Sequence, residues 1–136
     1  MRSSGFGDAC PCGSPTVYAA CCGPLHSGRE PASTAERLMR SRYTAYAVGE
    51  LDYVFRTWHP RTRPGDLTAT PGLVWTGLVI LDVTGGGTDD DTGEVEFRAS
   101  FEGPAGAGTL HERSRFERRA GRWVYVDGDV EDDGFD

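Results

Sequence analysis

All four cysteines of this 136-residue chain lie in one short segment, CPCGSPTVYAACC, at positions 10–22. Such a cluster allows three interpretations: disulfides, a redox-active thiol pair or a metal site. Residues 1–28 contain few large apolar side chains, so hydrophobic burial alone cannot order them and they need a strong cross-link. Reduced cytoplasmic thiols disfavour disulfides, and the Cys-x-x-Cys spacing of redox proteins is absent. The segment therefore favours a metal site.

The spacing of the cysteines suits zinc. Cys10 and Cys12 form one close pair, and Cys21 and Cys22 form a second after eight intervening residues. Two such pairs can supply the four thiolates of a tetrahedral zinc site, and the glycine after each pair can turn the backbone over the metal. Structural zinc contributes an apparent free energy of about 10–16 kcal/mol, against about 2–4 kcal/mol for a disulfide. We therefore predict a structural Zn²⁺ with no open coordination position.

The segment CPCGSPTVYAACCGPLH resembles the SEC-C motif, a zinc-binding module at the C-terminus of the bacterial preprotein translocase ATPase and in other bacterial proteins. The resemblance rests on the cysteine spacing, on Pro11-Cys12-Gly13-Ser14 and on Tyr18. In the translocase the module engages the secretion chaperone and the ribosome. By analogy, the resemblance implies a protein or ribosome partner here, with Thr16, His26 and Arg29 as exposed neighbours of the metal.

Length and charge limit the remaining possibilities. The chain is long enough for one globular domain with a small appendage, and its formal net charge of −7 argues against general binding to nucleic acids. No segment has the roughly 18 consecutive apolar residues of a membrane span, and the N-terminus lacks the apolar core of a secretion signal. We therefore expect a cytoplasmic protein that does not bind membranes.

Helical patterns occupy the middle of the chain. A capping box beginning at Ser33 predicts the start of a long helix, apolar residues recur at intervals of three and four, and Gly49 predicts its end. Arg37 and Arg40 are expected on the solvent side of this helix. A second, short helix is predicted at about 51–58.

Strand patterns follow from Leu73 onward. The segment LVWTGLVILDV is apolar on both faces, which predicts a central strand. Three further segments alternate apolar and polar residues and are joined by short turns, which predicts antiparallel neighbours. Helices followed by a strand meander predict an α+β fold, with a curved antiparallel sheet wrapped around the long helix.

The whole chain resembles the YchJ-like family, in which a SEC-C module precedes a cone-shaped domain of the nuclear-transport-factor-2-like fold. The resemblance rests on the cysteine segment and on TAERLMRSRYTAY (34–46), TWHPRTRPGDL (57–67), VEFRASF (95–101) and LHERSRFERRAGRWVYVDGD (110–129). It implies a zinc-binding module at 1–28, a cone domain at 29–130 and an acidic tail at 131–136. Some relatives carry a second C-terminal SEC-C module, whereas this sequence ends in acidic residues without a cysteine. The resemblance implies an architecture and no particular reaction.

Cones of this fold often enclose a pocket, and four polar residues are candidates for lining one: Arg42, His59, Glu112 and Asp127. Strand alternation places Glu112 on the inner face and His111 on the outer face. Glu112 is most simply the ion-pair partner of Arg42, and a general acid or base is the alternative. Further candidates are Tyr43, Trp58 and Trp75.

The other two polar candidates have simple structural interpretations. His59 is most simply a helix-end residue, and Asp127 a turn residue. No spacing among the candidates defines a known chemistry, so the sequence assigns no catalytic residue and leaves open whether the chain is an enzyme.

Two functional hypotheses follow from these patterns. The first is a zinc-binding protein that docks a macromolecular partner through its cysteine segment. The alternative is a cone that binds a small molecule or acts as an isomerase-like or dehydratase-like enzyme, with the zinc purely structural. The sequence leaves the oligomeric state open.

Overall fold

The computed structural model describes residues 9–131. In the cysteine module, as we call residues 9–28, a 3-10 turn at Tyr18–Ala20 leads into the short helix α1, Gly23–His26. The remaining elements are α2, Ala35–Val48; α3, Leu51–Arg56; β1, Val74–Gly85; β2, Thr92–Gly103; β3, Gly106–Arg119; and β4, Arg122–Val130. The predicted acidic tail lies outside the described residues except for Glu131.

Helix α2 has the predicted end but a different cap. Its N-cap residue is Thr34, whose hydroxyl accepts a hydrogen bond from the Arg37 amide at 3.0 Å. The prediction of Ser33 as the cap is wrong by one residue, because Thr34 is the residue with the extended backbone that lets a hydroxyl reach the third helical amide. Gly49, with φ 86°, ends the helix as predicted.

The four strands form one antiparallel sheet in the order β1-β2-β3-β4. The prediction of β1 as a central strand is wrong, because β1 lies at an edge and pairs only with β2. Leu78 on its inner face packs into the core, whereas Val79 on the outer face is 58% exposed. Two irregularities in the pairing of β1 with β2 accompany the curvature of this edge.

The core lies between α2 and the inner face of the sheet. Val95, Phe97 and Ala99 of β2 alternate inward as predicted, and Phe116 of β3 is almost fully buried. They pack against the apolar side of α2, formed by Ala35, Leu38, Met39 and Tyr43. The predicted α+β architecture, with a curved antiparallel sheet around one long helix, is confirmed.

The segment after α3 is fixed to the last strand. Helix α3 ends at Arg56, earlier than predicted. The Tyr125 amide then donates to the Thr57 carbonyl, and the His59 amide donates to the Tyr125 carbonyl, both at 2.8 Å. This bridge places Trp58 beside β4. None of the helices in residues 9–131 is long and apolar enough to cross a membrane.

Candidate metal centre and cone cavity

The four cysteine side chains converge in the structure. Each is at most 6% exposed, and the four Sγ atoms all lie within 4.8 Å of one another. The Sγ atoms of Cys12 and Cys21 are 3.7 Å apart, close to the edge of about 3.8 Å in a tetrahedron with metal–sulfur bonds of about 2.3 Å. Within residues 9–131, no other group of three or more potential ligands lies this close together. The cluster could hold a metal ion.

The protonation of these thiols shows why a cation suits the site. Hydrogen bonding to the Cys10 sulfur, together with burial, raises the pKa of Cys12 to about 11, and the same causes raise the pKa of Cys22. The neighbouring thiols that donate to Cys10 lower its pKa. The raised pKa values of Cys12 and Cys22 disfavour their thiolate forms, and a metal ion would stabilise these forms by supplying positive charge.

Backbone geometry turns the two cysteine pairs toward each other. Gly13 has φ 95°, a conformation that favours glycine, as the sequence predicts. Gly23 is instead the first residue of α1. A Cβ atom there would lie 2.9 Å from the Tyr18 carbonyl oxygen, so close packing requires this glycine.

One polar stripe of α2 holds the cysteine module. Arg37 donates to the Cys21 carbonyl at 2.8 Å, and Arg40 donates to the Cys12 carbonyl at 2.6 Å. The prediction that these arginines face solvent is wrong. Helical periodicity identifies a polar face, but it cannot show that another segment of the chain covers that face.

Thr44, one turn further along the same stripe, contacts the sulfurs directly. Its Oγ1 lies 3.4 Å from the Cys22 Sγ and 3.8 Å from the Cys10 Sγ, and its side chain is fully buried. A hydroxyl at these distances can donate to metal-bound thiolates. Sequence reasoning missed this residue, because a threonine in a helix gives no signal of a distant metal site.

His26 joins the module to α2 and is buried, with 7% exposure. Its Nε2 donates to the Ser41 carbonyl at 2.8 Å, which leaves Nδ1 to accept from the Tyr18 hydroxyl at 2.8 Å. The prediction of His26 as an exposed neighbour of the metal is therefore wrong. Thr16 and Arg29 are exposed as predicted.

A cavity of about 340 Å³ lies between α2, Trp58 and the inner face of the sheet, and we call it the cone cavity. Tyr46, which is partly exposed, lies where α2 borders the cavity and solvent. The walls are mostly aromatic and include Tyr43, Tyr46, Trp58, Trp75, Phe97 and Tyr125. Of the sequence candidates, Arg42, Glu112, Tyr43, Trp58 and Trp75 line it.

Arg42 brings a buried cation to this cavity. Its side chain is 4% exposed, and its Nη1 donates at 2.8 Å to the Val54 carbonyl and at 2.8 Å to the Thr57 hydroxyl. Its guanidinium carbon lies 5.2 Å from the ring centre of Trp58 and 4.7 Å from that of Tyr125. Burial lowers the pKa of Arg42 from its ordinary value, and no carboxylate in residues 9–131 forms an ion pair with it.

Glu112 is inward-facing as predicted but has different partners. Its Oε2 accepts from the Ser114 hydroxyl at 2.8 Å and from the Tyr125 hydroxyl at 3.0 Å. The predicted Arg42–Glu112 ion pair does not form, because the Tyr125 ring packs against Arg42 while its hydroxyl binds the carboxylate. Burial, reinforced by the Glu112 charge, raises the pKa of Tyr125.

Trp58 carries a polar atom that no protein group satisfies. Its indole Nε1 is buried and has no acceptor within residues 9–131. An unsatisfied buried donor costs about 1–3 kcal/mol, so it marks a place where an acceptor from outside the protein would be stabilised.

Three other candidates lie outside the cone cavity. His59 accepts from the Arg61 amide at 3.0 Å and has its Nε2 3.6 Å from Glu117. Asp127 is exposed and bound to Arg115 at 2.6 Å, and the prediction of a turn residue is wrong because Asp127 lies within β4. His111 lies on the outer face, 2.6 Å from Glu96.

Comparison with family models finds two matches. Residues 34–128 match the middle NTF2-like domain of YchJ, and residues 8–24 match the SEC-C motif. The second match contains all four cysteines.

Two solved structures share this fold. The solution structure of a SEC-C motif containing protein from Rhodopseudomonas palustris has a TM-score of 0.78 and 36% identity, over 90% of this chain and 98% of that one. The crystal structure of a SEC-C motif containing protein from Psychrobacter arcticus has a TM-score of 0.71 and 25% identity, over 98% of this chain and 88% of that one.

Curated relatives cover nearly the whole chain. A UPF0225 protein of Streptomyces coelicolor is 55% identical over 90% of this chain and 96% of its own length. A UPF0225 protein of Deinococcus radiodurans is 52% identical over 87% of this chain and 86% of its own. With a matching domain, a matching motif and relatives at this identity, the chain belongs to the YchJ (UPF0225) family.

Proposed function

We propose that this protein binds a small molecule in the cone cavity and that a structural zinc ion braces the helix forming one wall. The observation that carries the proposal is the combination of an apolar cavity of about 340 Å³ with a buried indole N–H, that of Trp58, which no group in residues 9–131 accepts. Volumes of this size are typical of small-molecule sites, whose few polar groups orient the ligand.

The polar groups of the cone cavity indicate which chemical groups its ligand should carry. Arg42 and the Trp58 indole offer hydrogen-bond donors, so they favour an acceptor such as a carboxylate or carbonyl. Glu112 accepts through Oε2 from two protein donors, and no group within residues 9–131 donates to its Oε1, so it favours a ligand hydroxyl or amine. An aromatic or aliphatic molecule with an acceptor at one end and a donor at the other would satisfy both.

We expect 4-hydroxybenzoate to serve as a probe of this site. It has about 10 non-hydrogen atoms, and at about 0.4 kcal/mol per atom its Kd should be about 1 mM. Trp58 and Trp75 line the cavity, so a titration followed by their indole N–H signals in NMR spectra reports binding directly. Benzoate, which lacks the donor to Glu112, is expected to bind several-fold more weakly.

Variants make this test specific. Arg42→Met and Trp58→Phe keep apolar volume but remove the donors, and each is expected to weaken the probe at least about fivefold. Arg98→Ala removes an arginine from the outer side of β2, away from the cavity, and is the matched control. Saturable binding that Arg42→Met and Trp58→Phe leave unchanged, or no binding at 10 mM probe, would contradict the proposal.

The metal in this proposal is zinc. Four buried thiolate donors at tetrahedral spacing suit Zn²⁺ and fill its coordination shell, which supports a structural role. The cysteine module contacts the stripe of α2 that contains Arg37 and Thr44, and Arg42 projects from the same helix into the cavity. A cysteine module with bound zinc would therefore hold α2 in place, and α2 positions Arg42 in the cone cavity.

Replacing Thr44 by valine tests whether the Thr44 hydroxyl contributes to zinc affinity. Valine keeps the shape of threonine but removes the hydroxyl next to the sulfurs of Cys10 and Cys22. We expect about a 10-fold to 100-fold loss of zinc affinity, measured by competition with a chromophoric chelator. Thr16→Val, at an exposed position of the module, should leave the affinity unchanged. Equal affinity in both variants would show that Thr44 only packs.

A second candidate function is docking of a macromolecule, such as the ribosome, through the cysteine module. It is favoured by the exposed side of the module at Pro15, Thr16 and Ala19, which the cone domain leaves uncovered. Co-sedimentation with purified ribosomes would test it. Thr16→Asp with Ala19→Asp should abolish binding without loss of metal, and unchanged co-sedimentation would contradict docking through this surface.

A further inference from the structure

A second cavity, distinct from the cone cavity, is lined by four arginines. It has a volume of about 320 Å³ and lies between the linker at 28–32, the segment after α3 and the β3–β4 hairpin. We call it the arginine groove, after Arg56, Arg63, Arg119 and Arg122. Glu30 is the only acidic residue among the side chains that line it. In a chain with net charge −7, this is a local concentration of positive charge.

Two of the four arginines are already engaged. Arg56 is paired with Asp52 and donates to the His26 carbonyl at 2.6 Å. Arg63 lies over the Phe55 ring at 4.1 Å and donates to the Phe55 carbonyl at 3.4 Å. Their contacts hold both guanidinium groups at the groove, and no carboxylate within residues 9–131 forms an ion pair with Arg63.

The other two arginines have no protein partner within residues 9–131. Arg119 and Arg122 are directly opposite each other across the β3–β4 hairpin, and both are exposed. Like charges in opposite positions of a strand pair are destabilising. An anion bound between them would turn this repulsion into attraction.

The hairpin turn fixes the positions of these two arginines. Ala120 and Gly121, the two residues between them, have φ 55° and 81°. Positive φ at both central residues is the geometry that a two-residue hairpin loop requires. The turn thus holds two guanidinium-bearing residues opposite each other at one rim of the cavity.

We propose that the arginine groove binds a small phosphorylated molecule, with its phosphate between Arg119 and Arg122. Guanidinium groups bind phosphate oxygens through paired hydrogen bonds, and two of them match the charge of a phosphate dianion. A groove of about 320 Å³ suits a small ligand, and the acidic surface of the remaining chain disfavours a polyanion.

Calorimetric titration of the full-length protein with pyrophosphate tests this proposal. We expect a Kd below about 1 mM in about 150 mM salt, where the Debye length of about 8 Å screens distant charges. Arg119→Gln combined with Arg122→Gln should weaken binding at least about 10-fold and should not lower the thermal stability, since it removes a like-charge pair. Binding of 4-hydroxybenzoate in the cone cavity should remain unchanged.

Three comparisons distinguish the outcomes. Arg98→Gln, with Arg98 on the outer sheet face, changes the net charge without touching the groove and should alter pyrophosphate affinity less than twofold. If Arg98→Gln weakens pyrophosphate binding as much as Arg119→Gln alone does, the protein attracts the anion only through its overall charge. Sulfate that binds as tightly as pyrophosphate, or a uridine oligonucleotide that binds more tightly per phosphate, would also overturn the proposal.

Discussion

Loss of the proposed zinc ion is expected to unfold the cysteine module and to destabilise the cone domain with it. Within residues 9–28, Leu25 is the apolar side chain that belongs to the main core, while the four cysteines form a separate buried cluster with Tyr18. The module thus has little hydrophobic stabilisation of its own. Without the proposed ion, nothing would hold the four buried sulfurs together, and α2 would lose the module that covers its polar stripe.

The expected effect of Cys22→Ser is large. Structural zinc supplies an apparent 10–16 kcal/mol or so, of which a serine in place of one thiolate should remove at least about 3 kcal/mol. For a domain of this size, that lowers the Tm by about 10 °C or more. Elemental analysis should find about one zinc per wild-type chain and much less in the variant. Thermal unfolding followed by circular dichroism measures the stability.

Two controls make the zinc prediction decisive. Thr16→Ala changes an exposed residue of the same module and should alter neither the zinc content nor the Tm. A chelator added to the wild-type protein should reproduce the Cys22→Ser result. Wild-type protein that contains no stoichiometric metal, or that keeps its Tm after the metal is removed, would refute a structural zinc.

The second large effect is expected from Gly93→Ala, at the start of β2. A Cβ atom at this position would lie 2.5 Å from the Cα and 2.7 Å from the amide nitrogen of Gly86. Both atoms belong to backbone, so no side-chain rotation can relieve the overlap. The Gly86 carbonyl also accepts from the Ala35 amide at 2.9 Å, and displacing it would disturb the first turn of α2.

Overpacking costs of this kind are typically about 1–3 kcal/mol, and a backbone clash belongs at the upper end. We expect Gly93→Ala to lower the free energy of unfolding by about 3 kcal/mol, as measured by urea denaturation. Gly77→Ala is the matched control, because a Cβ atom there meets nothing within 4 Å and its φ is not positive. Equal stability of the two variants would show that the hairpin can shift away from the added methyl group.

The β1–β2 hairpin shows which structural features the sequence patterns predict and which they do not. The run of glycines and aspartates after β1 predicts a turn, and the structure has one there. The close approach of Gly86 to Gly93 and Ala35 is invisible in the sequence, because it joins two ends of a hairpin to the start of a distant helix. Likewise, apolar residues on both faces of β1 predict a central strand, whereas the strand order leaves it at the edge.

The cone cavity shows the same limit, since the sequence predicts the direction of a side chain but not its partner. Strand alternation correctly predicts that Glu112 faces inward, because neighbouring residues of a strand point to opposite faces. The partner predicted for it, Arg42, is instead positioned by Val54 of α3 and by Thr57, the residue that follows this helix. The relative placement of two helices and a sheet decides that contact, and no local pattern encodes it.

By itself, the sequence determined the cysteine cluster, the order of helices and strands, the end of α2 at Gly49 and the inner face of β2. These features depend on spacing and on conformational preferences within a few residues. Only the tertiary structure decided that α2 covers His26, that Thr44 reaches the sulfurs and that four arginines share one groove. Those contacts join residues far apart in the chain, and the packing of whole elements brings them together.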